Sequence, residues 1–292
     1  MYIYASLIFL FVINVNSAFG QLVESESRWE RFLENFYSKP DDVKNQTLVS
    51  AFYGRSFAGI ERNSLRTTFS DIHNLDFYYG FIRIDERNDL DNVFTHQGEF
   101  AFLSNISTNF KTFKYQINGV VTDSWRFGFG LQDGFGFKMN KNNLYLNHAS
   151  AFTWIRNDFD YFPKDSMDSD YINRFDEHFK FGMFYQMGVK YQLISIFNIE
   201  LNYEHSFYYP QYEFFPWLAS WLTDNILQRG PELFERELIY SLEGNYPFLK
   251  IVYKSLISLL LGELRRSNGF FPISSEKTLN YDTFKIGIVI II

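Results

Sequence analysis

The sequence contains no cysteine, which excludes both a disulfide framework and a thiolate metal site. Positive charge is also scarce: 27 Lys and Arg against 34 Asp and Glu give a net charge of -7. Because no basic patch is available to meet phosphates, we expect no nucleic-acid partner. The five histidines show no metal-ligand spacing, and neither a Walker loop nor a dinucleotide fingerprint is present. The sequence therefore predicts no metal and no cofactor.

Long apolar runs are also rare, and the clearest lies at the N-terminus, from Ile3 to Ile13. Ala18 and Gly20 follow it at the spacing of a signal-peptidase site. The run is short for a bilayer span, so we interpret residues 1–20 as a cleaved signal peptide and Gln21 as the start of the mature chain. A buried or anchoring N-terminal helix is the alternative, because no Lys or Arg precedes the run.

Aromatic residues, in contrast, are abundant. Phe (35), Tyr (20) and Trp (5) make up 21% of the chain, while the mean hydropathy is only -0.20. A soluble core does not need so many rings, and a helical membrane protein would be more hydrophobic overall. A barrel wall that faces lipid on one side and water on the other accounts for both numbers, because alternate residues of each strand are apolar.

The mature chain begins with a short predicted helix and linker, residues 21–45, and then changes to a period of two in the predicted barrel region, 46–208. Alternation is clearest in Phe179–Leu193, where fifteen residues keep apolar side chains on one face; only Phe184 intrudes on the other. Such a strand is long for a soluble sheet and suits a tilted membrane crossing. The same period recurs in Thr47–Phe57, Leu75–Asp85, Gly98–Ile106, Phe113–Asn118, Trp125–Gln132, Leu144–Trp154 and Phe197–Glu204, with a possible further strand at Leu65–Ser70.

The last predicted segment, residues 273–292, is also a strand, with Phe284, Ile286 and Ile288 on one face. Its stretch Tyr281–Gly287 resembles the C-terminal strand of bacterial outer-membrane barrels, which the assembly machinery reads; that family usually ends in an aromatic residue, and this chain ends in Ile292. The resemblance implies a bacterial outer-membrane location, with membrane lipid and the assembly machinery as partners. The segments named above make nine predicted strands and a possible tenth. Closed single-chain barrels use even numbers of strands, so we predict an antiparallel transmembrane β-barrel of eight to ten strands.

Helical spacing interrupts the strands in a predicted insertion, residues 209–272. Its last helix is apolar on most sides, apart from a narrow polar stripe of Lys250, Lys254 and Ser258. A helix so apolar is normally buried. We expect the insertion to plug the lumen or pack on the rim of the barrel, rather than lie in the membrane interface.

A candidate catalytic group lies on the apolar faces of two neighbouring predicted strands. With a turn at Asn140–Asn143, Met139 pairs with Leu144, so Asp133 is predicted to lie across from Ser150 and diagonally from His148. Acid, imidazole and hydroxyl are the groups of a nucleophilic hydrolase. The His-x-Ser spacing resembles that of outer-membrane phospholipase A and lipid A 3-O-deacylase, which implies Ser150 as nucleophile and His148 as base. Those enzymes have Asn after the Ser, where this chain has Ala151.

Three functions remain open from the sequence. The leading one is non-enzymatic: a structural, binding or narrow transport barrel of unknown ligand. The second is a lipid acyl-ester hydrolase using Ser150, His148 and Asp133. The third is a soluble periplasmic barrel that turns its polar faces outward and holds a hydrophobic ligand.

Overall fold

The structure is a computed structural model that describes residues 45–60, 69, 71–85, 93–108, 119–139, 142–160, 166–230 and 246–292. The chain divides into a unit that ends at Val43 and a second unit, Lys44–Ile292, to which all the described residues belong. The predicted signal peptide, the predicted N-terminal helix, the predicted strand at 113–118 and all of 65–70 except Phe69 lie outside the described residues.

Nine strands and three helices are bounded within the described ranges. The strands are β1 (Asn45–Ile60), β2 (Ile72–Asp85), β3 (Val93–Ser107), β4 (Val121–Met139), β5 (Asn142–Arg156), β6 (Phe159–Asp160), β7 (Phe179–Gln192), β8 (Phe197–Tyr208) and β9 (Leu279–Ile291). The helices are α1 (Ser166–Asn173), α2 (Phe214–Gln228) and α3 (Tyr246–Asn268).

Eight of these strands form a closed antiparallel barrel, which confirms the predicted fold class at the lower end of its strand count. Each barrel strand pairs with its neighbours in chain order, and β9 closes the ring by pairing with β1. The two-residue β6 pairs only with the beginning of β4. We start at Thr47 on β1 and move from each residue to its register partner on the next strand. After one turn round the barrel the path returns to β1 at Phe57, ten residues from the start. The strands are therefore tilted against the barrel axis.

The two ends of the barrel differ in their connections. One end, here called the turn end, has the tight connections 140–141 and 193–196 together with the start of β1 and the end of β9. The other, the loop end, has the connections that include the helices, 157–178 and 209–278. β3 ends at Ser107 and β4 begins at Val121, and the two strands pair from Asp123 onward.

The outer face of the barrel is apolar, because side chains of successive strand residues point to opposite faces. On β4, Phe127, Phe129 and Leu131 are 44–63% exposed, while the side chains between them point inward. The same outward pattern is seen on the other strands at Val49, Tyr53, Phe57, Phe77, Tyr79, Phe81, Leu103, Val189, Ile199, Leu201, Phe284, Ile286 and Ile288.

The middle of the lumen is filled by aromatic rings. Tyr78 lies 5.1 Å from Phe100 and 5.5 Å from Phe102 between ring centroids, and Phe184 lies 5.2 Å from Phe102. Gly128 on β4 makes room for them: a Cβ there would lie 2.7 Å from the Phe102 ring. The glycines that alternate with outward-facing aromatic residues on β4 therefore leave room for the rings inside the barrel.

Beside the rings lies a buried charge cluster of two cations and two anions: Arg126, Lys285, Asp76 and Glu204. Arg126 Nη2 donates to Glu204 Oε2 at 3.1 Å and lies 3.3 Å from Asp76 Oδ1. Lys285 Nζ donates to Asp76 Oδ2 at 2.7 Å and also pairs with Glu204. All four side chains have no exposed surface. At the loop end, Ile172 of α1 and Phe175, just after the helix, join an apolar cluster that further closes the lumen.

The helices α2 and α3 form a hairpin that lies against the outside of the barrel. The predicted plug is wrong, because the lumen is already filled by the side chains of the strands themselves. Both helices contain a proline in the first turn, Pro216 and Pro247, where the missing amide hydrogen removes no helical bond. α3 ends where Gly269 takes a φ of +66°, the left-handed conformation that suits glycine.

α3 does not lie on the rim of the barrel. It follows the outer wall from the turn end to the loop end. Its residues Phe248 and Val252 lie near Leu201 on β8, and Arg266 pairs with Asp282 near the start of β9. Within the described residues, no helix has the length and hydropathy that a membrane crossing requires.

Candidate functional site

The candidate site lies where the apolar outer face of β4 and β5 is interrupted by polar side chains. The predicted register between β4 and β5 differs from the observed one by two residues. A connection of only two residues joins Met139 to Asn142, and these two are paired. Asp133 consequently lies directly across from His148, and Ser150 lies across from Leu131.

Asp133 and His148 lie close together, with 3.6 Å between Asp133 Oδ1 and His148 Nδ1. That separation is longer than an ordinary hydrogen bond. The other carboxylate oxygen of Asp133 accepts a hydrogen bond from Lys254 Nζ of α3 at 2.8 Å. The carboxylate is thus held between an imidazole on its own barrel wall and an ammonium on the helix.

The hydroxyl group beside His148 belongs to Ser258 of α3, 110 residues further along the chain. His148 Nε2 lies 2.8 Å from Ser258 Oγ. Gln228, at the end of α2, donates from Nε2 to the same oxygen at 3.2 Å. Ser258 is fully buried and His148 is 2% exposed, so this contact lies within the interface between hairpin and wall.

Ser150, the predicted nucleophile, is half-buried on the same outer face as His148, with Leu131 and Tyr185 as its register partners on the neighbouring strands. No hydrogen bond between Ser150 and His148 is found in the part of the chain that the structure describes. The structure therefore brings Asp133 and His148 together as the sequence predicts, and adds Ser258. Ser150 as nucleophile remains a prediction.

A second polar cluster fixes the hairpin to β7. Arg265 of α3 pairs with Asp224 of α2, with 3.2 Å between Nη1 and Oδ2, and both contact the phenol of Tyr185 on the barrel wall. Arg265 Nε also donates to Ser220 Oγ at 3.1 Å. Arg265 and Tyr185 are buried almost completely. Because a charged group is costly to bury without partners, this network ties both helices to one strand.

A third polar contact joins the loop end of α3 to β8 and β9. Asp282 Oδ1 lies 2.7 Å from His205 Nδ1 and accepts a hydrogen bond from Tyr203 at 2.7 Å. Its other oxygen accepts one from Arg266 Nη2, also at 2.7 Å. These polar contacts are spread along α3 and attach the hairpin to the barrel wall.

An apolar groove lies between the turn-end half of α3 and the barrel wall. Its volume is about 410 Å³. Leu146 and Val189 contribute from the barrel, and Ile251, Ser255 and Leu259 from α3. Ser258 and His148 do not line the groove themselves, but a neighbour of each does: Leu259 is the next residue on the helix, and Met187 is the register partner of His148.

No group of three or more His, Cys, Asp or Glu residues that could hold a metal ion is found among the residues that the structure describes. His73, which the sequence leaves unassigned, contacts the Tyr53 hydroxyl at 2.6 Å across the β1–β2 pair.

Fold and site together define a class: a closed eight-stranded antiparallel barrel with an apolar outer wall and a filled, charged lumen. Solved structures with a similar fold are bacterial outer-membrane barrel proteins. Neisserial surface protein A (NspA) is 9% identical with a TM-score of 0.37, over 84% of this chain and 96% of its own. Ail, the attachment invasion locus protein of Yersinia pestis, is 11% identical with a TM-score of 0.31, over 85% and 99%.

The outer membrane protein OprG from Pseudomonas aeruginosa is 10% identical with a TM-score of 0.29, over 85% of this chain and 95% of its own. No protein-family model matches the chain, and no curated protein sequence matches it. At these TM-scores the similarity is coarse and says nothing about ligand or activity.

Proposed function

We propose that the protein is a non-conducting barrel of the bacterial outer membrane, which acts as a structural or binding element through its wall and its loop end. The apolar outer wall carries this proposal. Large side chains such as Phe77, Phe129 and Ile286 are more than half exposed, and exposed apolar side chains lie on seven of the eight barrel strands. Soluble proteins rarely expose contiguous apolar patches of more than a few hundred Å². A lipid environment removes that cost.

The orientation of the charged side chains supports the same conclusion. Arg126, Lys285 and Glu204 are buried in the lumen, and a soluble barrel that holds a hydrophobic ligand would need the opposite arrangement. The exposed face of the hairpin continues the apolar wall, with Leu249, Leu256 and the first turn of α2 directed away from the barrel. The hairpin and the barrel would therefore share one lipid-facing surface.

The filled lumen argues against a transport role. The charge cluster and the aromatic rings occupy the cross-section of the barrel, and the cluster is electrically balanced without any bound ion. An ion that crosses would have to displace Arg126 or Lys285 from two carboxylates. We therefore expect no steady conductance.

Planar bilayer recording tests this function. Protein that has folded in detergent, and that shows a heat-dependent shift in gel migration, is added to a bilayer in molar salt. The expected result is insertion without discrete conductance steps. A variant with Arg126 and Glu204 both replaced by Ala, which leaves Asp76 paired with Lys285, serves as a control that opens the centre of the lumen. Steady channels from the unaltered protein would contradict the closed lumen, and protein that stays soluble without detergent would contradict the membrane location.

A further inference from the structure

We propose that Ser258, His148 and Asp133 form a nucleophilic site for ester-linked fatty acyl groups, with the groove beside α3 as the place for the acyl chain. The proposal goes beyond the non-conducting barrel: that function requires a closed lumen, whereas this one requires a reactive hydroxyl on the outer wall. Both can be tested in the same folded protein.

The hydrogen-bond directions at Ser258 suit a nucleophile. The amide of Gln228 donates to Ser258 Oγ at 3.2 Å, so this contact uses an acceptor site of the oxygen and leaves the hydroxyl hydrogen for another partner. His148 Nε2 lies 2.8 Å from the same oxygen. With the imidazole hydrogen on Nδ1, the Ser258 hydroxyl donates to Nε2, which is the arrangement a general base needs.

The carboxylate of Asp133 fixes the tautomer that this arrangement requires. It lies 3.6 Å from His148 Nδ1, on the opposite side of the ring from Ser258. A hydrogen on Nδ1 is favoured beside the carboxylate, and Nε2 is then free to accept. Catalytic hydrogen bonds are often long in a structure without substrate. Lys254 holds the other oxygen of the carboxylate and so fixes its position. Asp133 is accordingly a positioning residue.

The groove supplies what an acyl chain needs. Most of its lining is apolar, and it includes Leu259, the residue after Ser258, and Met187, the register partner of His148. It also lies on the face of the barrel that we place in lipid, where acyl chains are the surrounding solvent. Since Ser258 has no exposed surface, an ester has to reach it through a widening of this groove that keeps Ser258 in contact with His148.

The reaction is an acyl transfer with water as co-reactant. Ser258 Oγ attacks the ester carbonyl carbon while His148 Nε2 takes the hydroxyl proton. The bond from that carbon to the alcohol oxygen then breaks, and His148 returns the proton to the leaving alcohol. Water attacks the acyl-Ser258 ester, His148 accepts its proton, and the fatty acid leaves as the proton returns to Ser258 Oγ.

The test uses folded, detergent-solubilised protein and a long-chain alkyl fluorophosphonate, which forms a covalent bond with activated serine hydroxyls. We expect labelling of the protein, and peptide mass spectrometry should place the adduct on Ser258. Release of fatty acid is measured in parallel from micelles of phospholipid and of lipid A, and activity on either supports the site while identifying the source of the acyl group. The proposal is overturned if protein that shows the heat-dependent gel shift is not labelled and releases no fatty acid.

Matched variants separate this site from the one predicted from sequence. Ser258→Ala and His148→Gln should each lower the rate of fatty acid release by about 100-fold or more, as the loss of a nucleophile or a general base does. Ser150→Ala should keep both labelling and release. Asp133→Asn should lower kcat with little change in KM, since it does not contact the substrate. An adduct on Ser150, or full activity in Ser258→Ala, would refute the assignment, and the mapped adduct in the unaltered protein decides the matter even if a variant fails to fold.

Discussion

Replacement of Arg126 by Gln tests the account of the lumen most sharply. Arg126 lies between Asp76 and Glu204 with no exposed surface, and Lys285 balances the remaining charge. Without the guanidinium, two buried carboxylates share a single ammonium. Removal of one partner from a buried ion pair destabilises proteins by about 3–5 kcal/mol, because the other charge remains buried without compensation. We expect a loss of that size in the free energy of unfolding.

The matched control is Arg55→Gln on the outer face. Arg55 pairs with Asp71 at 2.7 Å, but the two side chains are 55% and 46% exposed. Exposed pairs contribute about 0–1 kcal/mol, so this variant should be close to the unaltered protein. The double variant Arg126→Gln/Glu204→Gln leaves a neutral pair of Asp76 and Lys285, and we expect it to be more stable than the sum of its single changes predicts.

Urea titration of the barrel in detergent micelles provides the assay, followed by tryptophan fluorescence and by migration of unheated samples on gels. The reasoning predicts a large loss for Arg126→Gln, a negligible one for Arg55→Gln, and partial recovery in the double variant. Equal losses in the two single variants, or simple additivity in the double variant, would refute it.

Three other predictions concern the wall and its closure. Arg265→Met removes the charge that joins α3 to Asp224 and Tyr185, so limited proteolysis should cut the hairpin at lower protease concentration while the gel shift of the barrel is retained; unchanged protection would contradict the anchoring role. Phe129→Arg places a charge on the lipid-facing wall and should cost about 2–4 kcal/mol if that position lies near the bilayer midplane, whereas no loss would argue against lipid there. Deletion of residues 279–292 removes β9 and leaves β1 and β8 without their shared partner. We expect no heat-modifiable form of this truncated chain, and a folded band from it would show that closure does not need β9.

The strands could be predicted from the sequence because the barrel imposes a strict period of two. Phe179–Leu193 and Phe197–Glu204 alternate in the sequence, and the structure has β7 and β8 there. Register was harder, because it depends on the length of a turn. A difference of two residues at the β4–β5 connection keeps every side chain on its predicted face and yet changes which residues are opposite one another. Asp133 therefore meets His148 rather than Ser150.

The position of the helices could not be predicted from their own pattern. An apolar helix can bury its side chains equally well inside a lumen or against an apolar wall. Which position it takes depends on how completely the strands fill the lumen. One signal was nevertheless present in the sequence. Lys254 and Ser258 form a polar stripe on an otherwise apolar helix, while Asp133 and His148 interrupt an otherwise apolar strand face. The structure joins these two exceptions, Lys254 to Asp133 and Ser258 to His148.

Heat-dependent migration of protein taken from an outer-membrane fraction is the most direct measurement of the central claim, that this chain folds as a closed barrel whose apolar wall faces lipid. The account predicts that the protein stays with the membrane after a carbonate wash, needs detergent for extraction, and migrates differently before and after boiling. A protein that leaves the cells without detergent and shows a single band under both conditions would contradict it.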